Sequence, residues 1–381
     1  MTKRLRLTSA NRLVGIVVVV AVAVAGLSIL AIRAAGPFAS VEVESTALAG
    51  TATQISDTTA SGGKAIKFGN VVTTPPTTGN RSRVKVQNNS VVTDKGTLLR
   101  MGTLWYLNPS LGASQADFAK QATTSNKLWD TLKAGHFNGV RIAVASNAGS
   151  DSPSMAQTTA YLDQMIAKAD SYSMYVVIDL HVTQLNDTGG AGDYNMAKAQ
   201  AFWATVAPRY AGKANVLYEL HNEPVAWTPA DYDSKYMADQ KTLYTQMRTA
   251  APDTHIILFS FAVPQNWGND SPSMADLAKQ YNGTVDWTKT SVGFHAYHTT
   301  SSAPWVNLKK SFPTINTEFM GPSGEVTDTA YDGTRWTSQA FEQQGVSWMA
   351  WNVTSNSSDL TSTLTDLLND AKTKNYWWAA D

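Results

Sequence analysis

From Val84 onward the chain alternates two kinds of segment, and that alternation is what most limits the fold. Eight short apolar runs of β type recur, over residues 98–104, 139–145, 175–180, 216–220, 256–259, 291–296, 314–316 and 346–351. Several are unbroken stretches of Val, Ile and Leu, the pattern of strands covered on both faces in a parallel sheet. Between them lie stretches with helical spacing, clearest over 154–171, 195–210, 234–250, 333–343 and 360–374. Eight such units predict an α/β fold of the (β/α)8 barrel kind, which takes about 250 residues. An open doubly wound sheet fits less well, because the chain has neither a G-x-G-x-x-G turn nor a P-loop. The hexapeptide Asp-Ser-Pro-Ser-Met-Ala occurs at 151–156 and again at 270–275, each time after a predicted strand. Ser152 and Ser271 read as N-caps with proline at the first helical position.

What precedes Val84 is built differently. Residues 1–36 hold Lys3, Arg4, Arg6, Arg12 and Arg33 and no acid. The uncharged apolar run from Leu13 to Ile32 is 20 residues long. That length crosses a bilayer core of roughly 30 Å, whereas a secretory h-region has about 7–15 residues. The reading is an uncleaved signal-anchor, with cleavage after a small-x-small site such as Ala23-Val24-Ala25 as the alternative. Basic residues ahead of the run place the N-terminus in the cytoplasm and the body outside. This gives a single-pass cell-membrane protein, or a secreted one if the segment is cleaved. Residues 37–83 are rich in Ser, Thr, Gly and Ala, with a stiff Thr-Thr-Pro-Pro-Thr-Thr-Gly spacer at 73–79, and read as a stalk. Residues 84–381 then form the barrel domain.

Charge and composition narrow the chemistry. The whole chain has 30 basic and 30 acidic residues, but 1–36 takes five of the basic ones. The remaining body therefore sets 25 basic against 30 acidic residues, a net −5. Nothing in that balance points to nucleic acid. With no cysteine there can be no disulfide scaffold, thiolate metal site, Fe–S cluster or cysteine nucleophile. An exported, mildly acidic body with 12 Trp suits a neutral extracellular substrate.

In (β/α)8 enzymes the catalytic groups stand at the C-terminal ends of strands. Arg141 lies in the second run, and the third ends in Asp179-Leu180-His181. The fourth ends in His221-Asn222-Glu223-Pro224, and the sixth in His295-Ala296-Tyr297-His298. The seventh leads to Glu318 and the eighth holds Trp348 and Trp351. Glu223 and Glu318 are 95 residues apart yet would converge from the fourth and seventh strands on one barrel mouth. Two opposed carboxyl groups are the minimum equipment for glycoside hydrolysis, one protonated and one ionised.

The segment 216–224, Val-Leu-Tyr-Glu-Leu-His-Asn-Glu-Pro, resembles the acid/base motif of glycoside hydrolase family 5, the cellulase and β-mannanase family of the 4/7 barrel superfamily. Residues 176–181, 293–297, 315–319 and 348–352 are similar to its third, sixth, seventh and eighth strand motifs, in the right order. The resemblance implies that Glu223 is the general acid and then base, and Glu318 the nucleophile of a retaining double displacement. It implies that Asn222 bonds the sugar 2-hydroxyl, and that Arg141 and Tyr297 hold Glu318 ionised. His181 and His295 would line the subsite and Trp351 would floor it. No cofactor or metal is implied. Gly321 comes three residues after the nucleophile, where the family often has an earlier glycine. Residues 41–45, 56–64 and 68–69 resemble the opening strands of carbohydrate-binding modules of the family 6 and 35 type. Only about 30 residues match where such a sandwich needs about 100, so no binding role is assigned.

The expected activity is endo-hydrolysis of a β-linked polysaccharide, β-1,4-glucan first and β-mannan second. A glycan-binding barrel without turnover is the rival from another class. A metal-dependent hydrolase is another, though the expected His-x-His pair on an early strand is absent. Trp105, Trp227, Trp267 and Trp305 follow strands and are expected to stack sugars. Trp129, Trp203, Trp336, Trp377 and Trp378 are expected to pack. His221 reads as a core histidine, Asp179 as a support of the barrel interior, and Glu219 and Glu325 receive no role.

Overall fold

Strands form where the apolar runs are continuous, because each is covered by helices outside and by neighbouring side chains within. A computed structural model describes residues 52–56, 64–68, 81–106, 122–144, 154–181, 195–224, 229–261, 273–297, 301–320, 338–351, 368–369 and 372–373. The chain divides into two units, Met1–Val72 and Thr73–Asp381. In the first, β1 (Ala52–Ser56) and β2 (Lys64–Phe68) form an antiparallel pair. Leu13 to Ile32 lies outside the described residues. Among the described residues no helix is long and apolar enough to cross a membrane.

The second unit begins with a hairpin, β3 (Lys85–Gln87) and β4 (Ser90–Val92). Its two turn residues, Asn88 and Asn89, have φ of 49° and 57°, the left-handed pair a tight hairpin needs. The barrel follows as β5 (Arg100–Tyr106), β6 (Gly139–Val144), β7 (Tyr175–Leu180), β8 (Val216–Glu219), β9 (His255–Phe261), β10 (Thr290–His295), β11 (Thr314–Met320) and β12 (Trp348–Trp351). All eight pair in parallel with their neighbours, and β12 closes on β5. The (β/α)8 expectation therefore holds. Several strands run beyond the apolar runs that marked them. The seventh was expected over 314–316 and extends to Met320, because its polar residues face the barrel interior.

Among the described residues, the intervening helices include α1 (Lys127–Ala134), α2 (Met155–Ser171), α3 (Met196–Tyr210), α4 (Ser234–Ala250), α5 (Met274–Lys279), α6 (Ala303–Lys309) and α7 (Ser338–Gln344). The repeated hexapeptide caps two of them, but two residues later than expected. Ser154 accepts from Gln157 N and Ser273 from Asp276 N, each completed by the reverse bond of a capping box. The residue at the third helical position decides this, since Gln157 and Asp276 can bond back only to these serines. Of the stretch expected helical over 360–374, only residues 368–369 and 372–373 are described, and they are helical.

Two apolar shells result from strand alternation. Outward residues such as Val140, Val176, Tyr218 and Phe294 pack against the helices. Inward residues Met101, Tyr175, Val177, Leu217, Ile257, Ile315 and Met349 fill the lower interior, closed by Val91 of the hairpin. Above this floor the inward positions become polar: Arg141, Asp179, Glu219 and Glu318 are buried.

The ladder around β10 is irregular on both sides. Val292 pairs with Leu258 but Phe294 with Phe261, so β9 carries one extra residue. Phe294 pairs with Asn316 but His295 with Glu318, so β11 carries one as well. These bulges break the period-two pattern. Ile257 and Ser260 both reach the interior, as do Ile315 and Glu318, although each pair is three residues apart.

Candidate active site

Arg141 is the hub. It stands on β6, one turn of the pleat above the apolar floor, fully buried. Its Nε donates to Glu219 Oε2 at 2.6 Å and its Nη2 to Glu219 Oε1 at 3.1 Å, a two-pronged pairing. Nη1 donates to Glu318 Oε1 at 2.7 Å. Nη2 also donates to Asn222 Oδ1 at 2.7 Å and lies 2.8 Å from Asp179 Oδ2. One guanidinium thus faces three carboxyl groups. Burial works to lower its pKa, but Asp179, Glu219 and Glu318 outweigh that and hold it well above the usual value.

The segment after β8 presents Asn222 and Glu223. It is held from behind by Leu220 N donating to Ile257 O and by Asn222 N donating to Leu180 O. Asn222 accepts through Oδ1, which leaves its amide hydrogens for another acceptor. Glu223 Oε1 is 2.8 Å from His295 Nδ1, and that nitrogen is 3.5 Å from Glu318 Oε2. Tyr297, fixed by Ala296 N donating to Glu318 O, donates its hydroxyl to Glu318 Oε2 at 3.1 Å. Donor atoms of Glu223, His295 and Glu318 all lie within 4.8 Å of one another. Of these, only His295 and Glu223 are within hydrogen-bond reach.

The two glutamates differ in exposure, with 14% of the Glu223 side chain and 5% of Glu318 open to solvent. Arg141 and Tyr297 both hydrogen-bond Glu318, and Arg141 lowers its carboxyl, but the net shift is upward. Burial pushes the Glu318 carboxyl above its ordinary value, and His295 and Arg141 pull it only part of the way back. Desolvation wins because the group is closed to water while Arg141's charge is spread over three acids. Burial also raises Asp179 to about 7 and lowers His181 and His295 to about 4, so both rings are neutral near pH 7. His181 Nδ1 meets Asp179 Oδ2 at 2.7 Å, and its ring stacks on Trp351 with centroids 5.2 Å apart and planes at 11°.

All eight expected residues, Arg141, His181, Asn222, Glu223, His295, Tyr297, Glu318 and Trp351, therefore meet at one end of the barrel. The profile described as "Cellulase (glycosyl hydrolase family 5)" matches residues 108–357, well over half the chain. The chain belongs to glycosyl hydrolase family 5. Endoglucanase E-5 of Thermobifida fusca is 28% identical over 200 residues, covering 50% of this chain and 40% of that protein. This family 5 chain spans less than half the length of the curated relatives it matches first. Its fold is similar to that of the catalytic domain of the T. fusca endoglucanase Cel5A, solved with cellotetraose. There the TM-score is 0.51 at 18% identity, over 74% of this chain and 90% of that one. It is likewise similar to a Thermomonospora fusca β-mannanase solved with mannotriose, with a TM-score of 0.50 at 16% identity over 72% and 86% of the two chains.

Several expectations change within this family 5 site. Trp305 does not stack sugar: it is buried on α6, donates from Nε1 to Gln344 Oε1 at 2.7 Å and lies against Phe294. Following a strand was too weak a signal, since the helix turns the indole back into the core. Trp129 and Trp203 pack as expected. Trp227, Trp267, Trp336, Trp377 and Trp378 lie outside the described residues, as does Glu325. His221 faces Gln240 of α4 at 2.7 Å, in the core. Glu219 was passed over, yet it carries the two-pronged bond to Arg141. Its position two residues above inward-facing Leu217 was the available signal. Ser260, which donates to Glu219 Oε1 at 2.6 Å, had none, because the bulge hides its facing.

Proposed function

We propose that this chain is a retaining endo-β-glycanase acting on a β-1,4-glucan. The observation that carries the reading is the close approach of Glu223 and Glu318, with carboxylate oxygens within 4.8 Å. Retaining glycosidases keep their carboxyl groups about 5–5.5 Å apart, whereas inverting ones leave about 6.5–9.5 Å for a water. Glu318, held by Arg141 and Tyr297, attacks the anomeric carbon. As the glycosidic bond breaks, Glu223 gives its proton to the leaving oxygen. Water then enters, Glu223 takes one of its protons, and the resulting hydroxyl displaces Glu318 from the sugar. The greater exposure of Glu223 suits a group that must serve both a leaving alcohol and an incoming water. Asn222, its amide oriented by Arg141, donates to the 2-hydroxyl, a bond that strengthens in the transition state. Trp351 and His181 supply the surface under the reacting sugar.

Glucan is preferred over mannan because the curated relatives are named endoglucanases. The run from Leu13 to Ile32 supports tethering of this domain at the outer face of a membrane. The test is a screen of the protein on soluble cellulose, mannan, xylan and β-1,3-glucan, with the first-formed anomer followed by NMR. The β-anomer from a β-1,4-glucan is expected. An α-anomer refutes the double displacement, preference for mannan transfers the substrate, and binding without turnover favours the non-catalytic rival.

A further inference from the structure

We infer that Ser260 is a positioning residue for the nucleophile, acting through Glu219 and Arg141 from a strained bulge in β9. The inference rests on the reading of Glu318 as nucleophile.

The backbone comes first. Phe259 and Ser260 have φ of 75° and 41°, two successive left-handed residues inside a buried strand. Neither is glycine, so the conformation is strained and must be held by what surrounds it. Phe259 is held by the core, stacked on Phe261 with centroids 5.1 Å apart and edge-on to Tyr281 at 4.9 Å. Ser260 points the other way, and its hydroxyl meets Glu219. The neighbouring strand makes room for it. A Cβ on Gly293 of β10 would lie 2.9 Å from Ile257 Cγ2 and 3.0 Å from Ser260 Oγ. Three local departures from an ordinary strand, two positive φ values and an inward glycine, serve one hydroxyl.

The hydrogen bonds show why the hydroxyl is needed. Arg141 Nη2 spends its two hydrogens on Asn222 Oδ1 at 2.7 Å and Glu219 Oε1 at 3.1 Å, while Asp179 Oδ2 sits 2.8 Å away as an ion-pair partner. The bond to Glu219 Oε1 is the longer of the two. Ser260 supplies at 2.6 Å a second and shorter hydrogen bond to the oxygen that Nη2 reaches only at 3.1 Å. With Oε1 so satisfied, Nη2 stays on Asn222, and the fork keeps Nη1 on Glu318. Without the hydroxyl, Glu219 draws Nη2 toward itself, and the alignment of both Asn222 and Glu318 loosens. Those contacts act in the transition state, so the loss falls on kcat rather than KM.

Ser260→Gly separates the hydroxyl from the backbone, because glycine accepts a positive φ without strain. Its kcat on 2,4-dinitrophenyl β-cellobioside, or the mannobioside if mannan proves the substrate, is expected to fall about tenfold with KM little changed. Covalent trapping by the matching 2-deoxy-2-fluoro glycosyl fluoride, followed by intact mass, should slow by the same factor. Gly293→Ala, which crowds the hydroxyl, should give a similar loss, and adding it to Ser260→Gly should cost less than the two losses multiplied. Wild-type kcat and trapping in Ser260→Gly overturn the inference, as does a change confined to KM. Glu318→Ala run alongside separates the two claims: if it keeps activity, the nucleophile assignment itself falls.

Discussion

Arg141 Nη1 donates to Glu318 Oε1 at 2.7 Å, with 0% of the arginine side chain and 5% of the glutamate open to solvent. The pair is one arm of a buried network, and such networks fail badly when a single partner is removed. Arg141→Ala leaves Asp179, Glu219 and Glu318 facing one another without a cation. A loss of about 3–5 kcal/mol in urea unfolding is expected. Arg141→Lys keeps the charge but not the fork. It should recover part of the stability and little of the activity. Equal activity in Arg141→Lys and the wild type would show that charge alone is used.

Glu318 must be ionised to attack, and burial raises its carboxyl. Activity is therefore lost as pH falls through a value above the ordinary glutamate range of about 4.3. A kcat/KM profile should show that acid limb. Tyr297→Phe, which removes a hydrogen bond to Glu318 Oε2, should move the limb higher still. A limb at or below the ordinary value would mean that Arg141 and His295 outweigh burial.

Azide distinguishes the two glutamates chemically. Glu223→Ala still forms the glycosyl-enzyme from an activated aryl glycoside, and azide opens it to the β-glycosyl azide. Glu318→Ala forms no such ester, and azide attacking in its place gives the α-azide. Wild-type rates on the natural polysaccharide in either variant would remove that residue from the mechanism.

Asp179 couples the site to stability. Its folded value of about 7 lies above the unfolded value of about 4. Between those values folding takes up a proton, so stability falls as pH rises through the window. Asp179→Asn removes this dependence. Its melting temperature should change less between pH 4 and pH 7 than that of the wild type, by more than about 2 °C. Parallel curves would place the proton elsewhere.

The capping serines report on stability alone. Ser154→Ala and Ser273→Ala each remove one cap, at a cost of about 0.5–2 kcal/mol. Melting temperatures should drop by a few degrees with kcat unchanged.

The barrel was legible because its rhythm depends on burial, which apolar runs record directly. Helices α2 and α4 are bounded close to where spacing placed them, although the cap of α2 lies two residues later than expected. Glu223, Glu318 and their neighbours were legible because they stand at strand ends in an ordered series. Facing within a strand was less so. Glu219 sits at a regular inward position but receives no role from sequence, since its partner Arg141 comes from another strand. Ser260 could not be placed at all, because period-two counting assumes an unbroken ladder. Trp305 was expected at the cleft for a different reason, its place after a strand, and the turn into α6 takes it into the core instead.

The paired irregularities beside β10 have a practical consequence for anyone aligning or redesigning this barrel. In β9 and β11 an inserted residue acts as a frame shift: every side chain after it swaps between lumen and helix layer. A redesign that straightened both strands to ideal geometry could keep each amino acid type and every helix contact below the shift. It would nonetheless turn Ser260 and Glu318 outward, into the apolar layer. Gap placement of a single residue near Phe259 and near Thr317 therefore decides whether a relative's sequence is read as an enzyme or as a silent scaffold.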